Sequence, residues 1–267
     1  MRRLRIALGQ FSVRETGEEN LAVVRRFINL ADEAGADLLV LPEGIIAEKA
    51  GDQSWPCRHA ETPDGPFVTG LLEASMKSSV SLVCTVHLKH PGDERPENDL
   101  LVIRQGKIEL VYPKIHLYDA FAGRESDFVR PGKAPSALIG IGPFRVGFLT
   151  CYDIRFPELA RRLALDGASL LVVPAYWYKG PLKESHWDLC VRSRALENTC
   201  WVAAVSACGP DAAGLSRIAD PFGTVTAQAG TGEELLVADI DADRVDEARR
   251  ALPVLANRRF AKPEMSD

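Results

Sequence analysis

The chain has 267 residues, 46% of them hydrophobic and 26% charged, a balance that suits one large globular domain or two small ones. A formal charge of −5 argues against a nucleic-acid partner, since nothing here neutralises a phosphate backbone. No run is apolar enough to span a bilayer, and Leu4 to Val13, interrupted by Arg5, Gln10 and Ser12, reads as a strand rather than a signal peptide, so the expected location is the cytoplasm.

Arg5 to Phe11 is the first predicted strand. An amphipathic helix follows over Glu18 to Ala34, with Leu21, Val24, Phe27, Ile28 and Ala31 on one stripe. Asp37 to Pro42 is a strand whose run of four aliphatics, Leu38 to Leu41, implies burial on both faces. Next come a helix over Pro66 to Ser78, a strand over Val80 to Leu88, and a hairpin of Asp99 to Arg104 and Lys107 to Tyr112 turning at Gln105-Gly106. His116 to Pro135 has no periodicity and reads as an ordered active-site loop. A strand then runs into Cys151, a helix covers Pro157 to Asp166, and Leu170 to Pro174 is a buried strand. Leu182 to Asn198 is helical and Trp201 to Ala207 extended. Ser216 to Ile240 reads as two or three antiparallel strands turning at Pro221-Phe222-Gly223, and a last helix covers Ala242 to Leu252. No linker or repeat interrupts this order, so the expectation is a single α/β domain over 1–267 with a mixed sheet system.

The six cysteines (57, 84, 151, 190, 200 and 208) form no Cys-x-x-Cys pair and read as reduced. The five histidines are scattered without metal-site spacing, and no metal or cofactor is called for. Cys151 stands apart, at the end of an apolar strand and before a helix opened by Pro157. A thiol there can be held as thiolate and can attack a carbonyl whose oxygen meets a backbone donor, the N–H of Tyr152. A packed, inert cysteine is the competing reading. Glu43 follows a buried strand in Leu41-Pro42-Glu43-Gly44, where desolvation should raise its pKa toward base chemistry. Lys114 ends another strand and offers a fixed cation for an oxyanion. Each alone reads as a surface charge. Together the three occupy equivalent strand ends, where ligands of open α/β sheets collect. They supply what amide hydrolysis through a thioester needs: a nucleophile, a base and positive charge.

The segments Leu41-Pro42-Glu43-Gly44, Tyr112-Pro113-Lys114-Ile115-His116-Leu117-Tyr118-Asp119 and Cys151-Tyr152-Asp153-Ile154-Arg155-Phe156-Pro157-Glu158-Leu159 resemble the three catalytic motifs of the nitrilase (carbon–nitrogen hydrolase) superfamily. Ala195-Leu196-Glu197-Asn198 and the tail segment Ser216 to Gly223 extend the resemblance nearly end to end. It implies a four-layer α-β-β-α sandwich, commonly dimerised into eight layers. It also implies a triad of Glu43 as base, Lys114 as oxyanion stabiliser and Cys151 as nucleophile, with Glu125 in Arg124-Glu125-Ser126 matching a second glutamate that positions lysine and substrate.

Tyr152-Asp153 resembles the amidase branches, whereas true nitrilases carry Trp-Glu there. The missing membrane spans set aside the acyltransferase branch, and the missing second domain the glutamine-dependent synthetases. His116 to Phe121, Glu125-Ser126, Gly180 to Trp187 and Leu252 to Phe260 are similar to the Nit1-like branch, the bacterial deaminated glutathione amidases. The expected activity is therefore hydrolysis of the amide bond of a small carboxylate-bearing substrate, with ammonia released. ω-Amidase action on 2-oxoglutaramate and N-carbamoyl amino acid hydrolysis are the alternatives. Lys179 and Lys183 beside Trp177 and Tyr178, and Arg155, would suit a carboxylate, although rim lysines and an Arg155 ion pair with Glu158 or Asp153 are the simpler readings. His116 is expected to brace the lysine loop. A cysteine protease-like hydrolase using His116 or His186, and a non-catalytic scaffold, are the competing classes.

Overall fold

Local chemistry sets the elements of the computed structural model, which describes residues 2–92, 94–121 and 123–266. Strand β1 (Arg3–Gln10) leads into helix α1 (Gly17–Glu33). Thr16 caps α1: its hydroxyl accepts from the Glu19 N–H and donates to the Glu19 carboxylate, satisfying an otherwise orphaned donor. Val24, Phe27, Ile28 and Ala31 are buried along one stripe, as the 3.6-residue period requires. The chain continues through β2 (Leu38–Val40), α2 (Trp55–Arg58), α3 (Pro66–Ser75), β3 (Ser81–Leu88), β4 (Glu97–Arg104) and β5 (Lys107–Pro113). The second half holds β6 (Ile139–Ile141), β7 (Phe144–Phe148), α4 (Pro157–Leu165), β8 (Leu170–Ala175), α5 (Lys183–Asn198) and β9 (Trp201–Ser206). It closes with β10 (Arg217–Ala219), β11 (Val225–Gln228), β12 (Glu234–Asp241), α6 (Ala242–Ala251) and α7 (Val254–Asn257).

Two six-stranded sheets result, ordered β12-β1-β2-β3-β4-β5 and β11-β10-β9-β8-β7-β6. Each has three parallel central strands flanked by antiparallel ones. Leu4, Ile6, Leu8, Leu38, Val40 and Val102 of one sheet meet Phe144, Val146, Phe148, Leu170 and Val172 of the other in a dry layer. The outer faces are covered by α1 and α3 on one side and by α4 and α5 on the other. This is the α-β-β-α order, and it accounts for the continuous apolar runs of β2, β3, β8 and β9, which are buried on both faces.

The observed order departs from the sequence reading in two places. The strands of Ser216 to Ile240 do not form one antiparallel set: β10 and β11 pair locally, while β12 crosses to the other sheet and lies antiparallel to β1, Arg3 opposite Asp241. The helix opened by Pro157 stands where the sequence places it, and a 3-10 turn over Cys151–Arg155 leads into it. The short elements β6 and α2 had no periodic signal. Among the described residues no helix is long and apolar enough to cross a membrane.

Candidate active site

One end of the sandwich gathers the carboxyl ends of β2, β5, β7 and β8. Because β4 is antiparallel to both β3 and β5, β5 points the same way as the parallel strands. Glu43 lies three residues past β2, Lys114 one past β5 and Cys151 three past β7. The structure brings all three together with Glu125. The Lys114 ammonium donates to Glu43 Oε1 at 2.9 Å and to Glu125 Oε2 at 2.8 Å. The Glu43 carboxylate also accepts from Asn98 Nδ2 (2.9 Å) and the Tyr176 N–H (2.9 Å), and the Cys151 thiol is near enough to shift its ionisation. Cys151 Sγ lies 3.8 Å from the Tyr176 carbonyl. β5 is a half-exposed edge strand rather than a buried one. Its end is nonetheless fixed, because Lys114 bonds Asn98 O and Gly132 N–H through its backbone at 2.9 and 2.8 Å. Gly132 is required there: a Cβ would stand 2.2 Å from the Pro113 carbonyl oxygen.

Charge accounting fixes the resting protonation. Lys114 is 2% exposed, and its two carboxylate partners hold its ammonium well above the ordinary lysine range despite burial. For Glu43, burial pushes the pKa up, but Lys114 and the hydrogen bonds outweigh it, so the carboxylate ionises more easily than usual. For Cys151, burial and the adjacent Glu43 charge push the thiol well above its usual range. Both directions are the reverse of the sequence expectation. A thiolate would add a third negative charge beside one lysine, so the resting pair is a carboxylate and a thiol. The arrangement is one of base-assisted attack: the thiol proton passes to Glu43 as sulfur bonds to carbon, and the net charge of the cluster is unchanged.

The Tyr152 N–H sits in the first turn of the 3-10 segment, where helical geometry leaves donors without an internal acceptor. Glu125 is anchored by the Tyr118 N–H at 2.6 Å. These groups line a cleft of about 740 Å³, counted to its open mouth, together with Arg155, Lys183, Tyr176, Trp177 and Tyr178. Arg155 takes neither Glu158 nor Asp153 as an ion-pair partner; its guanidinium lies 4.6 Å from the Trp177 ring centre and touches His186 Nδ1 at 3.4 Å. Lys183 is no rim lysine. It is 7% exposed, donates to the Tyr118 hydroxyl at 2.5 Å, and lies 3.8 Å from the Phe121 ring centre. Burial and the Arg155 charge push its ammonium below the ordinary lysine range. Two cations on one wall, with no carboxylate salt-bridged to either among the described residues, make that wall a receptor for an anion. Lys179 points elsewhere, to the Gly209 carbonyl at 2.6 Å.

Sequence reasoning missed Asn98, His87, Glu48 and Asp153. Asn98 donates to Glu43 and opens a strand; the polar pair Asn98-Asp99 before an apolar run was its only signal. His87 is buried on the cleft wall and burial lowers its pKa to about 4, leaving a neutral ring. Glu48, also on the cleft, is pushed up to about 8 by burial with Glu43, Asp52 and Asp211 nearby. Away from the cleft, His90, Glu97 and Asp99 bring potential metal-ligand atoms within 4.8 Å of one another. Arg130 is bonded to Glu97 at 2.8 Å and His90 to Asp99 at 2.7 Å, so these side chains already bond one another and their neighbours.

The carbon–nitrogen hydrolase family model matches residues 5–250. The chain belongs to the carbon–nitrogen hydrolase family. It is 40% identical over 261 residues, 97% of its own length and 99% of the relative's, to a deaminated glutathione amidase of Escherichia coli O157:H7. It is 32% identical to an omega-amidase of Homo sapiens over 97% of this chain and 96% of that one. Among solved structures, Nit3 of Saccharomyces cerevisiae, a member of branch 10 of the nitrilase superfamily, superposes with a TM-score of 0.85 at 28% identity, covering 97% of each chain. This carbon–nitrogen hydrolase therefore has the nitrilase fold and is an amidase, acting on C–N bonds other than peptide bonds.

Proposed function

We propose that this amidase hydrolyses deaminated glutathione through a thioester on Cys151. The observation that carries the reading is a thiol beside a buried carboxylate, in a cleft whose wall holds Arg155 and Lys183, neither salt-bridged to a carboxylate among the described residues. Sulfur attacks the amide carbon while its proton moves to Glu43. Lys114 and the Tyr152 N–H balance the oxyanion. Glu43 returns the proton to the departing nitrogen as the C–N bond breaks. Water then attacks the thioester, giving its proton to Glu43, and the C–S bond breaks with the thiol restored. Glu125 holds the lysine in place throughout.

Deaminated glutathione and 2-oxoglutaramate deliver the same acyl group and differ in the amine that leaves. Ammonia, expected from the sequence, is the product only of the second; the first releases the dipeptide. Arg155 and Lys183 suit the carboxylate shared by both. Assay of the common 2-oxo acid product is expected to show at least tenfold higher kcat/KM on deaminated glutathione, without ammonia. The reverse preference would make the protein an ω-amidase. Arg155→Leu and Lys183→Met are each expected to raise KM by about 10- to 100-fold, the loss of one or two charge-assisted hydrogen bonds, with kcat much less affected. An unchanged KM in both would remove these cations from substrate binding.

The whole chain is read as one catalytic domain, and its six free cysteines suit a reducing compartment such as the cytoplasm. Leu189 and Leu196 stand exposed seven residues apart on the outer face of α5, and Leu182 is exposed at the residue that precedes the helix. Such a stripe suits a homodimer packed helix to helix. Leu189→Glu with Leu196→Glu is expected to convert a dimer to a monomer in sedimentation; an unchanged mass would place the contact elsewhere.

A further inference from the structure

Cys151 has φ +45°, a left-handed conformation that is strained for a residue with a side chain and persists only where the surroundings impose it. The imposing group is the carboxylate of Asp153, which is fully buried. Its Oδ2 accepts from the Thr150 N–H at 2.9 Å, and the Asp153 N–H donates back to the Thr150 carbonyl at 3.0 Å, so the chain closes on itself around Cys151. The same carboxylate reaches the lysine strand on both sides of Lys114. Oδ2 accepts from the Tyr112 hydroxyl at 2.8 Å, two residues before the lysine. Oδ1 accepts from the His116 N–H at 2.9 Å and from His116 Nδ1 at 2.8 Å, two residues after it. Because a carboxylate only accepts, Nδ1 carries the proton. The His116 ring is also stacked on Phe156 at 3.6 Å, tying it to the turn that carries the cysteine.

We propose that Asp153, working through His116, is the positioning residue that fixes Cys151 and Lys114 relative to one another. Neither side chain touches the reacting atoms in this reading, which rests on Cys151 being the nucleophile. Four donors on one carboxylate lock the left-handed turn and the Lys114 segment into one rigid unit, so that sulfur and ammonium meet the same carbonyl group without rearrangement. Asp153 is therefore needed for more than folding, and His116 serves as a hydrogen-bond donor rather than as a base.

The test pairs His116→Ala with His116→Asn, whose amide nitrogen can stand where Nδ1 does but cannot act as a base, and adds Asp153→Asn. Each variant is compared with wild type for kcat, KM, melting temperature and the rate of alkylation of Cys151 by iodoacetamide. A misplacement of the order of an ångström is worth about 100-fold in rate. His116→Ala and Asp153→Asn are thus expected to lose about that much kcat, with KM within about threefold and slower alkylation at Cys151 alone among the six cysteines. His116→Asn is expected to recover at least tenfold of the His116→Ala loss in both turnover and alkylation. If Asp153→Asn does not fold, the histidine pair decides. Wild-type kcat in His116→Ala, or a His116→Asn no better than His116→Ala, overturns the proposal. Wild-type turnover by Cys151→Ala overturns the nucleophile reading itself, and this proposal with it.

Discussion

Cys151→Ala is expected to abolish amide hydrolysis, a loss on the order of 10⁴- to 10⁶-fold, as when the nucleophile is removed from enzymes whose catalytic groups act as a unit. The fold should survive, because the thiol contributes one side chain to a core cluster of nineteen buried residues, and the turn is held by Asp153 rather than by sulfur. Circular dichroism and melting should match wild type within a few degrees while product formation disappears. Glu43→Gln should be nearly as damaging. The amide cannot take the thiol proton, and one of its two terminal groups becomes a donor facing either the Lys114 ammonium or the Tyr176 N–H, which both now find an acceptor. A Glu43→Gln enzyme with wild-type kcat would point instead to a histidine base.

Lys114→Met is expected to be inactive and less stable by about 3–5 kcal/mol, the cost of leaving buried carboxylates without their cation. Glu43 and Glu125 would then face one another with no positive charge between them. The pH dependence has a definite sign. In wild type the depressed Glu43 pKa adds stability that is present above its ordinary value of 4.5 and lost as pH falls through the folded value. The raised Lys114 pKa adds stability that is complete below 10.5 and lost as pH rises through the folded value. Without the lysine, burial is left to raise the Glu43 pKa, and protonation relieves the strain. The melting deficit of Lys114→Met should accordingly be smaller at pH 5 than at pH 8. A deficit that grows on acidification would contradict the charge balance described for the site.

Much of this molecule was legible before any coordinates. Period-3.6 and continuous apolar runs located α1, α3, β2, β3, β8 and β9 within a few residues, because burial on one stripe or on both faces leaves its mark on every turn of chain. Motif order identified Glu43, Lys114, Cys151 and Glu125, and the structure gathers them in one cluster. What stayed hidden depends on partners distant in sequence. The alternation of β12 reads as a strand, but nothing local says that it pairs with β1 in the other sheet. The protonation of Glu43 and Cys151 was misjudged for the same reason. Strand-end position predicts desolvation, but the sign at Glu43 is set by Lys114, brought in from another strand, and at Cys151 burial is reinforced by the Glu43 charge against the pull of Lys114. Arg155 seemed supplied with Glu158 and Asp153 as sequence neighbours; in the fold, Asp153 is already committed to Thr150, Tyr112 and His116.

The covalent step is tested most directly by mixing the enzyme with deaminated glutathione, quenching in acid within the first turnover, and measuring intact and peptide masses. The mechanism predicts an adduct with the mass of the 2-oxo acyl group, confined to the peptide that carries Cys151, formed by wild type and absent from Cys151→Ala. An adduct on Cys57 or Cys208 instead, or full-rate hydrolysis by Cys151→Ala, would contradict it.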